Sequence, residues 1–311
     1  MSNEITETAI QSTSSAPAAV VILAVLAGLL AVCVVILVLL LIRKRRPVSE
    51  KPAAELPPTA AFEPPKPTQG IGKVHCQGAR DYQEDCFAVS EPEAAASHGL
   101  LAIVADGMGG LEDGELVSQT AVGTAISEFY ELGGDADVVL MTLLGRANQA
   151  VNDFLGPDRF YKCGATMVMG LIKNGRFHYI SVGDSRICLF RNGELIQLNR
   201  EHVFRNELLL RAINGEGSFK DAFEHPKAAG LSSFLGQGIL KYADLGAKPV
   251  SICPGDRFIL MSDGVYNALS VEELSSALAL APQEAADSIQ SLIEQKAYIN
   301  QDNYTAVIIA C

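Results

Sequence analysis

Apolar and polar positions divide the chain into three stretches with different patterns. From Ala18 to Ile42 there is no charged residue, and Val, Leu and Ile dominate. As a helix this run would reach roughly 37 Å, against about 30 Å of hydrocarbon in a bilayer. It ends at Arg43-Lys44-Arg45-Arg46, whereas residues 1–17 carry Glu4 and Glu7 and no Lys or Arg. A secretory leader has the reverse order, with basic residues before a shorter apolar core. A buried core helix is shorter and amphipathic. The pattern therefore predicts one transmembrane helix over 18–42, with residues 1–17 outside and the C-terminal side cytoplasmic. Residues 43–69 are basic and then Pro-rich. Pro47, Pro52, Pro57, Pro58, Pro64, Pro65 and Pro67 preclude regular helix or sheet and predict a semi-rigid spacer. Residues 70–311 remain for one large domain.

Within that domain the periods alternate between those of strands and helices. Leu100–Val104 is a continuous apolar run that stops at Asp106-Gly107. Gly164–Ile172 and Arg176–Val182 predict two strands joined by Lys173-Asn174-Gly175, and Asn-Gly is a strong hairpin signal. Ser185–Arg191 and Glu194–Leu198 repeat the pattern around Asn192-Gly193. Val250–Cys253, Arg257–Met261 and Asn303–Ile309 predict further strands. Helical spacing covers Gly114–Leu132, Asp137–Leu155, Val271–Ala281 and Pro282–Gln295. Ser270 followed by Glu273 reads as a capping box. The segment from Glu201 to Leu231 is irregular and predicts a mobile flap over a site. Hairpins dominate, so the fold class is α+β, with antiparallel sheets at the centre and helices outside.

Charge narrows the partners. A formal net charge of −12 argues against nucleic acid, whose phosphates need a basic surface. The seven cysteines form no C-x-x-C pair and have no histidine at zinc spacing. Cys33 lies in the apolar span, and the others read as reduced core residues of a cytoplasmic domain.

The chemistry concentrates in four short pieces: Arg80-Asp81-Tyr82-Gln83-Glu84-Asp85, Val104-Ala105-Asp106-Gly107-Met108-Gly109-Gly110, Met261-Ser262-Asp263-Gly264 and Gln301-Asp302-Asn303. Asp-Gly alone is a common turn dipeptide, and Arg80 alone could be a surface ion-pair residue. Together the pieces set several aspartates beside apolar strands, with Asp106 expected at the end of one strand, Asp263 at the end of another and Asp302 at the start of the last. A buried aspartate is costly unless paired, and hard divalent cations take oxygen ligands of this type. Two ions about 3.5–4 Å apart would suit displacement at phosphorus. Arg80 could bind phosphate oxygens bidentately.

At this point the chain resembles the metal-dependent serine/threonine protein phosphatases of the type 2C (PPM) family. The ordered match is Arg80-x-x-Gln83-Glu84-Asp85, Asp106-Gly107-Met108-Gly109-Gly110, Gly164-Ala165-Thr166, Gly183-Asp184-Ser185-Arg186, Ser262-Asp263-Gly264 and Asp302-Asn303. Met108 looks like the bacterial branch. The resemblance implies two central antiparallel sheets flanked by helices. It implies two Mn²⁺ or Mg²⁺ ions bridged by Asp106, with the Gly107 carbonyl on the first and Asp263 and Asp302 on the second. It further implies Glu84 and Asp85 orienting metal-bound water, Arg80 binding phosphate, and Asp184 as ligand of a third, weaker ion. Asn267 stands where many members have an Asp serving that third site. Ala165 replaces a Thr, and Met108 a His that some members are thought to use as general acid. None of the five histidines is an evident substitute; His202, in a region that matches the flap-side loop, is the one weighed as catalytic. The implied activity is hydrolysis of phosphoserine and phosphothreonine on cytoplasmic proteins at a bacterial plasma membrane, opposing a Ser/Thr kinase that could itself be membrane-bound. A phosphatase of a sigma-factor regulator, or a pseudophosphatase that binds phosphoproteins without turnover, are the alternatives.

Overall fold

The computed structural model describes residues 70–109 and 113–311. The expected apolar span, its flank 1–17 and the linker 43–69 lie outside the described residues, as do Gly110, Leu111 and Glu112. Among the described residues no helix is long and apolar enough to cross a membrane.

Twelve strands form two sheets in which every pairing is antiparallel. The first sheet orders β1 (Gly70–Cys76), β12 (Tyr304–Ala310), β11 (Arg257–Met261), β7 (Arg186–Arg191) and β8 (Glu194–Gln197). The second orders β10 (Val250–Ser251), β6 (Arg176–Val182), β5 (Met167–Lys173), β3 (Leu100–Met108) and β2 (Asp85–Val89), with β4 (Gly164–Ala165) on β3 and β9 (Asp244–Leu245) on β6.

The period of two assigns each strand residue to one of two interfaces. Ala102, Val104, Val168, Phe177, Phe258, Leu260, Val307 and Ile309 pack between the sheets. Phe177 and Phe258 stack there with ring centroids 3.8 Å apart. A side chain at Gly170 would collide with the Phe177 ring at 2.6 Å, so the glycine is required by the neighbouring aromatic. Leu101, Ile103, Met167, Met169 and Leu171 face the other way, onto α1 (Asp113–Phe129) and α2 (Ala136–Leu155). On the far sheet Ile259, Met261, Ala306 and Ile308 face α6 (Val271–Leu278) and α7 (Pro282–Lys296). The result is four layers, helix–sheet–sheet–helix. Two further helices, α3 (Phe204–Ile213) and α4 (Phe219–Glu224), and the single turn α5 (Asp263–Tyr266) complete the chain.

Local sequence explains the boundaries. Asp135 caps α2 by accepting from the amides of Asp137 and Val138. Ser270 and Glu273 form the expected capping box on α6. Pro282 opens α7 at a position that needs no N–H. Asn174 and Asn192 adopt φ 52° and 54° ahead of Gly175 and Gly193, which are the two hairpin turns expected.

Several expectations are corrected. The predicted strand Gly164–Ile172 is broken at Thr166, because β4 pairs with Gly107 and Met108 at the end of β3 while β5 pairs with Leu100–Val104. Strand β3 does not stop at Val104: Ala105 and Asp106 pair with β2, and Gly107 and Met108 with β4. The final strand begins at Tyr304 rather than Asn303. The segment 201–231 is largely helical, containing α3 and α4.

Candidate active site

One cavity of about 320 Å³ gathers most of the chemistry, with Arg80, Glu84, Asp106, Gly107, Met108, Gly109, Thr166, Asp184, Leu231, Asp263, Asp302 and Asn303 in its walls. Asp85 lies buried behind it, directly opposite Asp106 across the β2–β3 pairing. Like charges facing each other across a strand pair are destabilising, and here the two carboxylates also share one face. Asp106 sits within β3 and is partly buried, not at a strand end as expected. Asp263 is the first residue of α5 rather than a strand terminus. Asp302 precedes β12 by two residues. All five aspartates and Glu84 nonetheless converge on this place.

Each piece is held by neighbours on other elements. The amide of Asp106 donates to Thr166 Oγ1 at 3.2 Å, and the amide of Thr166 donates to the Asp106 carbonyl at 2.9 Å. Ser262 Oγ donates to Asp85 Oδ2 at 2.7 Å. Asn303 accepts from the Glu84 amide at 2.8 Å and donates to the carbonyls of Gln77 and Tyr82, so it pins the loop that carries Arg80. A Cβ on Gly107 would lie 2.2 Å from the Gly114 carbonyl and 2.6 Å from that of Glu84. Gly107 therefore serves close backbone packing inside a strand, not the tight turn its sequence suggests. Gly264 is excluded from carrying a side chain in the same way, by the Asn303 carbonyl at 2.0 Å.

The electrostatics show the strain of this grouping. Burial, before any other cause, pushes Asp85 up to about 7, with Asp263 and Asp302 adding and Ser262 and Thr305 opposing. Burial and then Asp263 push Asp184 up to about 7 as well. Asp106 rises well above the usual carboxylate range, again through burial first and Asp85 second. Burial and Asp302 raise Asp263. Burial raises Glu84, against the pull of Arg80. Every one of these shifts disfavours the ionised form, and a nearby cation would reverse them.

The residues fit a hard divalent cation by the chemistry of the donor set: carboxylates and a backbone carbonyl, with no thiol or imidazole in the cavity wall. The buried Glu84 Oε1 and Asp85 Oδ1 have no hydrogen-bond partner among the described residues, which marks acceptor capacity left for something else. Yet among the described residues no group of three or more His, Cys, Asp or Glu side chains is gathered tightly enough as it stands to hold an ion. Two of the aspartates have other partners here. Arg80 Nη2 donates to Asp302 Oδ2 at 2.6 Å, and Asn267 Nδ2 donates to Asp263 Oδ2 at 3.1 Å. Both aspartates would exchange these partners on taking up a cation.

Met108 lines the cavity and has no proton to give. Among the described residues no histidine lines it. His202 is not a catalytic candidate in this geometry: it is buried, its Nδ1 accepts from the Gly183 amide at 3.1 Å, and its own amide donates to the Gly183 carbonyl at 2.7 Å. The described cysteines are free, with Cys163 and Cys188 buried. Thr166, Ser262, Asn303 and Tyr266 are supporting residues to which the sequence assigns no role of their own, and His202 supports the Gly183 turn instead of catalysis. Their only signal was adjacency to the aspartate motifs, since hydrogen-bond partners 19 to 226 residues apart have no local pattern.

Comparisons with known proteins place the chain in a family. The family model for protein phosphatase 2C matches residues 72–296. The chain is 30% identical over 217 residues to the protein phosphatase PhpP of Streptococcus pneumoniae, covering 67% of this chain and 84% of that protein. It is 31% identical over 214 residues to the serine/threonine protein phosphatase PstP of Mycobacterium tuberculosis, covering 67% of this chain but 39% of that longer one. A solved structure of the Streptococcus agalactiae serine/threonine phosphatase superposes with a TM-score of 0.66 at 24% identity, over 78% of this chain and 98% of that one. The catalytic domain of PstP, solved in complex with two manganese ions, gives a TM-score of 0.59 at 24% identity, over 78% and 96%. The chain belongs to the protein phosphatase 2C family. Its enzyme class is that of the serine/threonine protein phosphatases.

Proposed function

We propose that this chain hydrolyses phosphoserine and phosphothreonine on cytoplasmic proteins with the help of two Mn²⁺ or Mg²⁺ ions, and that it does so at a bacterial plasma membrane, opposing a Ser/Thr kinase. The observation that carries the chemistry is a cavity walled by Asp106, Asp184, Asp263, Asp302, Glu84 and Arg80, with Asp85 buried behind it opposite Asp106.

In this reading Asp106, the Gly107 carbonyl, Asp263 and Asp302 would hold the two ions. Asp184 holds a third, weaker ion, with Asn267 in place of a further acid. Bound ions would supply an activated water and neutralise charge gathering on the phosphoryl oxygens. The protein's own groups do the rest. Asp85, held by Ser262, and Glu84 offer acceptors that orient the attacking water. Arg80, on leaving Asp302, presents a guanidinium suited to two phosphoryl oxygens. Met108 donates nothing, so the departing serine or threonine oxygen takes its proton from solvent. The precedent for two ions is the manganese-bound PstP catalytic domain.

The membrane part of the proposal is supported by the charge-free run Ala18–Ile42 and the Arg43-Lys44-Arg45-Arg46 flank. Residues 1–17 would then be extracytoplasmic, 43–69 a spacer and 70–311 the catalytic domain. Retention of the whole carboxylate set weighs against a binding-only pseudophosphatase. Mutation provides the test: Asp106→Ala and Asp263→Asn should each reduce metal-dependent phosphopeptide hydrolysis to background while the protein still melts cooperatively. Full turnover in either variant would refute the assignment.

A further inference from the structure

The turn Gly183-Asp184 is gripped by two residues from elsewhere in the chain. Tyr266, which ends the same helical turn α5 that begins with Asp263, donates its hydroxyl to the Asp184 carbonyl at 3.1 Å. The Tyr266 ring is itself fixed from above: the Arg186 guanidinium lies 3.6 Å from its centroid. Arg186 in turn donates through Nε to Glu201 Oε1 at 2.6 Å. Immediately after Glu201, His202 binds Gly183 through both its ring and its amide. The His202 carbonyl accepts from Ser232 at 2.8 Å, and Val203 bridges Leu231, closing the base of the segment that carries α3 and α4. Leu231 lines the cavity beside Asp184.

We propose that Tyr266 and His202 are positioning residues that fix the Asp184 carboxylate in the cavity wall and couple its placement to the base of the helical segment 203–231. This rests on the reading of Asp184 as an ion ligand. The physical basis is that a carboxylate can hold an ion only if its backbone does not drift, and the Asp184 side chain itself has no charged partner within salt-bridge distance among the described residues. Both grips act on backbone atoms, so they constrain where the carboxylate starts without competing for its oxygens. The Arg186–Glu201 pair makes the two grips one unit, because it joins the ring of Tyr266 to the residue preceding His202.

Tyr266→Phe is the decisive variant, since it keeps the ring and its stack with Arg186 and removes only the hydroxyl. Mn²⁺ binding isotherms would be recorded on the full chain for wild type, Tyr266→Phe, Asp184→Asn and the double variant. The expected result is an unchanged melting temperature and an unchanged tight phase for Tyr266→Phe. Its weakest resolved phase should lose affinity by about tenfold, within the range for residues that orient a ligand. The double variant should be no weaker than Asp184→Asn alone, because Tyr266 acts through Asp184. For the second grip, His202→Asn keeps an acceptor near the Nδ1 position and should bind Mn²⁺ as wild type does, while His202→Ala should weaken the same phase. A weakened Asp184→Asn with an unaffected Tyr266→Phe overturns the proposal, and so do additive losses in the double variant. An Asp184→Asn variant that binds as wild type overturns it too, whereas the two-ion reading falls only if Asp106→Ala leaves the tight phase intact.

Discussion

At the scale of single residues, the defining fact is that Asp85 and Asp106 occupy facing positions on β2 and β3. Local sequence would never select two opposed acids for stability, and the fold tolerates them by keeping protons on them when no cation is near. That has a pH consequence. Asp85 and Asp184 both sit near 7 in the fold, above the ordinary value in the unfolded chain. Protonation therefore favours the fold: the contribution is complete below the ordinary carboxylate range and is lost as pH rises through about 7. The metal-free protein should melt lower at pH 8.5 than at pH 6, by about 5 °C or more, and excess Mn²⁺ should erase the difference because ligands bind it deprotonated. A metal-free melting temperature that rises between those pH values would contradict the electrostatics. Arg80 makes a second prediction. Its Asp302 partner is one it can exchange for phosphate, so Arg80→Ala should lower kcat/KM for a phosphopeptide by about 10- to 100-fold, mainly through KM. Unaltered kinetics would remove Arg80 from the site.

At the scale of elements, the two sheets meet through a narrow set of apolar contacts centred on Phe177 and Phe258. Phe177→Ala should cost about 3–5 kcal/mol, read as a lower urea midpoint, and a loss below about 1 kcal/mol would mean the inter-sheet core lies elsewhere. Much of this level could be read from the chain beforehand. Amphipathic spacing located α1, α2, α6 and α7, the Asn-Gly pairs located both hairpins, and Ser270 with Glu273 located a helix start. What was not legible has physical reasons. Strands β1 and β2 are sheet edges with mixed burial, so their apolar alternation is weak. The extension of β3 through Asp106 to Met108 depends on the edge strand β2, which pairs with Ala105 and Asp106, and on β4, a two-residue partner more than fifty residues away. The break at Thr166 arises because its side chain serves the Asp106 amide and Ser185 Oγ rather than continuing a ladder. The polar stretch after Glu201 hid two helices because Gly215, Gly217 and Pro226 interrupt its period. Of the site's aspartates Asp106 and Asp263 stand out as Asp-Gly motifs, while Tyr266 and His202 do not stand out, since each acts on backbone atoms of a distant turn.

At the scale of the whole molecule, a two-sheet sandwich brings the end of β3, the turn after β6, the start of α5 and the approach to β12 to one edge. Acids separated by up to 218 residues, Glu84 to Asp302, thus share one cavity. The topology proposal belongs to this scale: a reporter fused after Cys311 should behave as cytoplasmic, and extracytoplasmic behaviour would reverse the proposed orientation. The central claim is that the carboxylates are there to hold catalytic cations. Its most direct measurement is phosphopeptide hydrolysis by the purified chain in Mn²⁺, in Mg²⁺ and after EDTA treatment. Turnover should appear with either ion, vanish in EDTA and return when Mn²⁺ is restored in excess. Turnover that persists undiminished in EDTA would contradict the account.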